Sequence, residues 1–200
     1  MAENSEARGE LLICRHGETE WSRSGRHTGV TDLALTPAGE ANARALRPLL
    51  ADHRIVHALV SPRRRARDTA LLAGVVDASV TDELAEWDYG KYEGLTTAEI
   101  RQDRPGWTIW NGDPPGGETA TAVGQRADRL LHRITALLAD GAVLVVGHGH
   151  FGRVLAARYL GLPVSNGSLL RLDPATLCVL GTEHESPTIV RWNLPGKEAQ

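Results

Sequence analysis

Three short and almost uninterrupted apolar runs set the tightest limit on the fold: LLIC at 11–14, IVHALV at 55–60 and AVLVV at 142–146. A strand solvated on one face alternates apolar and polar residues, whereas a run without alternation suits a strand covered on both faces, as in a parallel sheet. Segments with helical periodicity lie between the runs. TPAGEANARALRPLL (36–50) opens with Thr36 as a candidate N-cap and Pro37 in the first turn, and Pro48 must kink or end it. SPRRRARDTALLAG (61–74) repeats the device with Ser61 and Pro62 and stops at Gly74. From Thr119 to Ala139 the residues Val123, Ala127, Leu130, Leu131, Ile134, Leu137 and Leu138 recur at helical spacing, as do Phe151, Val154, Leu155 and Tyr159 later. The tail SLLRLDPATLCVLGTEHESPTIVRWN reads as short strands joined by turns. Alternating strands and helices predict an α/β fold, a three-layer α/β/α sandwich with one mostly parallel sheet of about six strands.

A chain of 200 residues fits one domain at roughly 100–200 residues per domain, spanning 1–200 with frayed tails expected at 1–9 and 194–200. The balance of 22 basic against 25 acidic residues, net charge -3, offers no general basic field, so nucleic acid is not an expected partner. Only Cys14 and Cys178 occur, both inside apolar runs, which suits buried reduced thiols rather than a disulfide scaffold or a thiolate metal site. The polar start MAENSEARGE resembles neither a signal peptide nor a membrane span, so a cytoplasmic location and no membrane partner are expected. Charge patterning leaves the oligomeric state open. DRPGWTIWNGDPPGGET (103–119) is too rich in Gly and Pro for a long regular element yet carries Trp107 and Trp110, the composition of a packed lid.

In an open α/β sheet ligands bind beyond the carboxyl ends of the strands. Arg15 and His16 follow the first run, Arg65 lies a turn into the helix after the second, and His148 follows the third. Together with a helix N-terminus these groups would make a cationic pocket suited to a phosphoryl group, whose oxygens match the guanidinium fork. An isolated Arg or His at a strand end is usually solvated, and that reading is kept for His27, His53, His57, His132 and His184, and in part for Arg63 and Arg64. A rival is GHGHFG (147–152), which has the G-x-G-x-x-G form with Asp173 roughly 20 residues beyond, as in a dinucleotide fingerprint. His148 and His150 occupy positions where a pyrophosphate needs bare backbone, and too little chain follows Asp173 for a second mononucleotide half.

RHGET (15–19), SPRRRARDTA (61–70), LAEWDYGKYEG (84–94) and VVGHGHFGR (145–153) resemble the motifs of the histidine phosphatase superfamily, in its phosphoglycerate-mutase-like branch, over nearly the whole chain. The resemblance implies that His16 accepts the phosphoryl group, that Arg15, Arg65 and His148 surround it, and that Glu86 protonates the leaving oxygen. It also implies that Ser22, Thr28, Gly29 and Gly149 border the substrate, although many relatives carry Asn where Ser22 stands. Such chemistry needs no metal or other cofactor: a neutral imidazole with one N–H fixed by an acceptor attacks phosphorus through the other nitrogen. Burial of Glu86 beside Trp87 and Tyr89 is expected to favour its protonated form. Glu83 and Glu93 are read as capping or surface carboxylates.

Trp21, Trp87, Tyr89, Trp107 and Trp110 are candidate walls for a small phosphorylated substrate, and a core role is the alternative for each Trp. The lid lacks the extra basic residues with which phosphoglycerate mutases of this branch hold a bisphosphate. Hydrolysis of phosphate monoesters, as in the family's broad-specificity acid phosphatases, is therefore the leading expectation. A sugar bisphosphatase of the sedoheptulose-bisphosphatase kind comes next, then a phosphoglycerate mutase, then the dinucleotide-binding protein. A phospho-ligand binder without catalysis is the weakest alternative.

Overall fold

A computed structural model describes residues 9–196. The polar segment 1–8 and residues 197–200, which include most of the expected tails, lie outside the described residues. In chain order the elements are β1 (Leu11–Arg15), α1 (Glu20–Ser24), α2 (Pro37–Arg44), α3 (Arg47–Ala51), β2 (Ile55–Val60), α4 (Arg64–Leu72) and β3 (Ser79–Val80). There follow α5 (Thr97–Asp103), α6 (Ala120–Leu137), β4 (Ala142–Gly147), α7 (Gly149–Tyr159), β5 (Thr176–Glu183) and β6 (Ser186–Pro195).

The six strands form one sheet in the order β3-β2-β4-β1-β5-β6. β3, β2, β4 and β1 run parallel, while β5 and β6 add an antiparallel edge. Side chains alternate through the central strands. Leu11, Ile13, Val143 and Val145 enter the core beneath α6 and α7; Leu12, Cys14, Leu144 and Val146 enter the opposite core with residues of α4 and the α2–α3 region. Each such aliphatic side chain contributes roughly 1.5–3 kcal/mol by leaving water, so strands covered on both faces have little use for polar interruptions. Cys14 and Cys178 are both buried on opposite sides of the sheet, and burial pushes each thiol up to about 12.

Local signals explain most element ends. Thr36 caps α2 through Gly39 N–H and Thr119 caps α6 through Ala122 N–H. Pro48 separates the expected single helix into two, and stands in the first turn of α3, where its missing N–H costs nothing. Ser61 does not cap α4: the helix starts at Arg64 with Arg63 as N-cap, and the serine hydroxyl is used elsewhere. Two residues of the expected C-terminal tail are ordered instead, Leu194 pairing with Leu177 and Pro195 with Thr176, because the antiparallel ladder still has partners to offer them. Gly9 likewise donates to Leu138 O at 2.9 Å. Among the described residues no helix is long and apolar enough to cross a membrane.

Candidate active site

Three adjacent strands, β2, β4 and β1, end on the same rim of the sheet. The backbone ladder runs one residue past two of them: His16 N–H donates to Gly147 O at 2.9 Å and Ser61 N–H to Val146 O at 3.0 Å. His16 and Ser61 are thus fixed to either side of β4, and His148 is the next residue after it. The two imidazoles meet edge to face with ring centroids 5.2 Å apart. Both are buried, at 4% exposure for His16 and 1% for His148.

The turn after β1 is narrow. Gly17 N–H donates to Thr69 Oγ1 at 2.9 Å, and a Cβ on Gly17 would stand 2.5 Å from Gly39 O. Thr69 in turn donates to Arg65 O at 2.7 Å, so the His16 turn is held against α4 by one hydroxyl. His16 Nδ1 lies 2.7 Å from Gly17 O. A carbonyl only accepts, so Nδ1 carries the hydrogen and Nε2 keeps its lone pair. Burial first, then the Arg65 and Arg15 guanidinium groups, hold the His16 pKa well below its usual 6.5, and His148 is lowered the same way. Both rings are therefore neutral at neutral pH.

Arg65 is fully buried and has no carboxylate partner among the described residues. Its Nη1 donates to Thr31 O at 2.8 Å and its Nη2 to Thr28 O and Gly29 O at 3.0 and 3.2 Å. Glu93 holds that same loop, accepting the Gly29 and Thr31 N–H groups at 2.9 to 3.0 Å. Arg15 donates through Nη1 to Leu172 O at 2.7 Å, and a Cβ on Gly149 would come 3.1 Å from its guanidinium carbon. After these contacts Arg15 Nε, Arg65 Nε and His148 Nδ1 remain buried without a hydrogen-bond partner among the described residues. Arg63 Nε shares that condition, and the residue is half-buried, in keeping with the partial solvation expected for it.

Glu86 is buried at 8% exposure, but its surroundings are not dry. Oε1 accepts Trp87 N–H and Phe151 N–H, each at 2.8 Å, and Oε2 accepts His150 N–H at 3.0 Å. The carboxylate therefore sits on the N-terminus of α7, where amide hydrogens and the helix dipole meet it. This amide lining differs from the apolar pocket expected beside Trp87 and Tyr89. Oε2 has only that one hydrogen-bond partner among the described residues.

One cleft of about 230 Å³ is lined by Arg15, His16, Glu86, Ser22, Thr28, Tyr89, Gly149, His27, Thr97, His150, Arg153 and others, whereas the buried Arg65 and His148 are not among its lining residues. Among the expected substrate residues, Ser22, Thr28, Tyr89 and Gly149 reach it. Gly29, Trp87, Trp107 and Trp110 do not line it, and neither does Trp21. Trp87 and Trp107 are core residues at 0% and 3% exposure, with their indole N–H groups donated to Glu118 O and Gly112 O at 2.7 Å. Trp110 stands behind the cleft, edge-on to His150 at 5.3 Å. Ser22 spends its hydroxyl on the capping box of α1 with Thr19.

His27 and His150 supply the aromatic wall that the tryptophans were expected to give. His150 Nδ1 lies 2.6 Å from Tyr89 Oη, and the His27 ring is 4.7 Å from that of Tyr89. Burial lowers His27 to about 4, against a smaller opposing pull from Glu93. His27 was invisible as a site residue because it follows no strand; its motif neighbour Thr28 was the only signal. The 147–152 loop leaves no bare backbone for a pyrophosphate, since His148 and His150 fill it. Asp173 holds Asn193 Nδ2 at 2.8 Å and Arg171 Nε at 3.0 Å, and β5 returns antiparallel to β1 rather than opening a second parallel half as a dinucleotide fold requires. Among the described residues no group of three or more His, Cys, Asp or Glu side chains is placed to hold a metal ion.

Unpaired buried donors beside a neutral imidazole, at the carboxyl rim of an α/β sheet, make an arrangement chemically suited to an anion. The chain belongs to the histidine phosphatase superfamily (branch 1), whose family model matches residues 11–195. It is 44% identical over 176 residues to an acid phosphatase of Mycobacterium tuberculosis, covering 87% of each chain. It is 37% identical over 189 residues to the sedoheptulose 1,7-bisphosphatase of Saccharomyces cerevisiae, covering 76% of this chain and 68% of that one. Its fold matches the solved structure of the Mycobacterium tuberculosis open reading frame Rv3214 with a TM-score of 0.92 at 41% identity, covering 94% of this chain and 99% of that one. The mycobacterial glucosyl-3-phosphoglycerate phosphatase Rv2419c, solved with VO3, matches with a TM-score of 0.83 at 30% identity, covering 93% and 99%. Phosphatase relatives on both sequence and structure support a phosphatase enzyme.

Proposed function

We propose that this chain hydrolyses phosphate monoesters of small molecules through a phosphohistidine on His16, with Glu86 as general acid and then base and without a metal. The reading is carried by the three orphan donors, Arg15 Nε, Arg65 Nε and His148 Nδ1, gathered around the imidazole whose Nδ1–H is held by Gly17 O. A buried donor left without an acceptor costs roughly 1–3 kcal/mol, and the oxygens of a phosphoryl group remove that cost.

The Nε2 lone pair of His16 forms the P–N bond as the bond from phosphorus to the leaving oxygen breaks. Glu86 gives that oxygen its proton from Oε2. Arg15, Arg65 and His148 stabilise the charge on the non-bridging oxygens, and the Nδ1–H to Gly17 O bond steadies the ring as it becomes cationic. Water then attacks phosphorus, Glu86 takes its proton, the P–N bond breaks and the lone pair returns to Nε2. Splitting the displacement this way replaces one difficult step by two easier ones.

His16→Ala tests the reading. Phosphate release from an aryl phosphate, with chelator present, falls by roughly three orders of magnitude or more while the circular dichroism spectrum is retained. Retained turnover, or the absence of an acid-labile phosphoprotein in the parent enzyme after rapid quench, overturns it.

A further inference from the structure

The segment that carries Glu86 contains no strand or α-helix to hold it. Between β3 and α5 the chain makes two short 3-10 turns, Asp82–Leu84 and Gly90–Tyr92, and Glu86 stands between them. Its carboxylate nevertheless joins two parts of the structure, accepting Trp87 N–H from its own segment and the His150 and Phe151 N–H groups from α7. Where that carboxylate lies is therefore set by how the segment is fastened to α7.

Arg126 of α6 makes the fastening. Its Nη1 donates to Ala85 O at 2.7 Å and to Glu83 O at 2.9 Å, and its Nη2 approaches Glu86 O at 3.5 Å. The guanidinium lies over the ring of Phe151, 4.1 Å from the centroid, and the amide of that same residue meets Glu86 Oε1. Glu118 completes the set, accepting from Nε at 2.9 Å and from Nη2 at 2.6 Å. A guanidinium carries five N–H donors in a rigid plane, and here each has an acceptor within reach. Glu118 also grips the segment through its backbone, accepting Trp87 Nε1–H at 2.7 Å and donating to Asp88 O at 2.9 Å.

The pair is withdrawn from water, with side-chain exposures of 13% and 17%, whereas the Arg23–Glu20 pair on α1 stands at 58% and 65%. Desolvation offsets most of the attraction in a buried ion pair, so such a pair is a poor source of stability. What it supplies here is direction, because a planar fork anchored by Glu118 holds the carbonyls of one irregular segment at fixed angles. Arg126 does not line the cleft, so its influence on a substrate has to pass through Glu86.

We propose that Arg126, oriented by Glu118, is a positioning residue for Glu86, fixing the carboxylate where it exchanges a proton with the leaving oxygen. This rests on the phosphatase reading above for the role of Glu86.

Benzyl phosphate and para-nitrophenyl phosphate test it, since they are similar in size but only the benzyl alkoxide needs a proton to depart. The double variant Arg126→Met/Glu118→Gln avoids stranding one buried charge, and Arg126→Lys keeps the charge without the fork. kcat/KM is measured on both esters in the parent and in a Glu86→Gln background, with thermal melts of every protein. The double variant lowers the benzyl to nitrophenyl ratio of kcat/KM by about tenfold or more, and Arg126→Lys lowers it by at least about threefold. With Gln at position 86 the same changes move the ratio by less than about twofold, because the group they position is already lost. A merely structural role lowers both esters together. Equal losses on the two esters, or a ratio that falls as far in the Glu86→Gln background, overturns the proposal, and Arg126→Lys decides if the double variant is unfolded. A parent that turns over neither ester and forms no phosphohistidine rejects the phosphatase reading, whereas parental turnover with an unmoved ratio rejects the positioning role alone.

Discussion

Ser61 Oγ lies 2.7 Å from His148 Nε2, although 87 positions separate them in the chain. Arg63 N–H approaches the same hydroxyl at 3.4 Å, and no other acceptor among the described residues takes its hydrogen. The serine proton therefore goes to Nε2, which leaves the His148 hydrogen on Nδ1, the orphan nitrogen beside His16. One hydroxyl thus decides that His148 presents a donor at Nδ1. Ser61→Ala frees the ring to take the other tautomer. We expect kcat to fall about tenfold, the equivalent of ~1.4 kcal/mol, with a shift in the His148 15N resonances. Unchanged resonances would reject the tautomer assignment.

Glu86→Gln preserves an oxygen for the α7 amides but has no proton to exchange. If Glu86 is the proposed general acid, its loss matters most when the departing alkoxide is a strong base. The variant should lose roughly 10²–10⁴-fold on alkyl and sugar phosphates and far less on an aryl phosphate with an acidic phenol. Equal losses on both would mean that Glu86 acts only through the helix.

Acid should destabilise this fold through its histidines. His16, His27, His148 and His150 all have folded-state pKa values below the usual 6.5, with burial the largest cause in each. The unfolded chain binds protons that the folded chain refuses, so their contribution is complete above pH 6.5 and is lost as pH falls; for His27 the loss runs from 6.5 to about 4. The melting temperature should fall over that interval. Replacing His27 by Gln should flatten part of the slope, and an identical slope in that variant contradicts the assignment.

Glu93 orders the loop that orders Arg65. Its carboxylate holds Gly29 and Thr31 N–H, while the carbonyls of Thr28, Gly29 and Thr31 hold the Arg65 guanidinium. Glu93→Ala should cost roughly 1–3 kcal/mol of stability and raise KM more than it lowers kcat, because it loosens a phosphate clamp rather than removing a reacting group. Thermal melts and steady-state kinetics check both.

Much of this architecture is legible in the linear chain because continuous apolar runs have few alternative homes. LLIC, IVHALV and AVLVV become β1, β2 and β4, and their ends carry His16 and His148 to one rim. β3 was not legible: two exposed residues, Ser79 and Val80, have no pattern to read. Ser61 followed by Pro62 looks like a helix start, but whether a hydroxyl caps an amide or meets a histidine 87 residues away depends on strand order, which local propensity does not encode. The tryptophans misled for a related reason. A large aromatic beside a glycine-rich loop is equally suited to lining a cleft or filling a core, and Trp87 and Trp107 fill the core. His27 acquires its place in the cleft from loop packing, so that place becomes visible only in three dimensions.

The ladder that continues past β1 and β2 makes the centre of the sheet a ruler. His16 and Ser61 are each tied by a backbone hydrogen bond to β4, so the spacing among His16, Ser61 and His148 is measured in peptide units rather than maintained by side-chain packing. Loops around the rim can lengthen, shorten or exchange their residues while that measurement stays the same. A single residue inserted within Leu11–Arg15 would turn the strand residues that follow it to the opposite face and carry His16 out of register with His148. The chain is therefore free to vary in the loops around the cleft and rigid in length where the three strand ends place His16, Ser61 and His148.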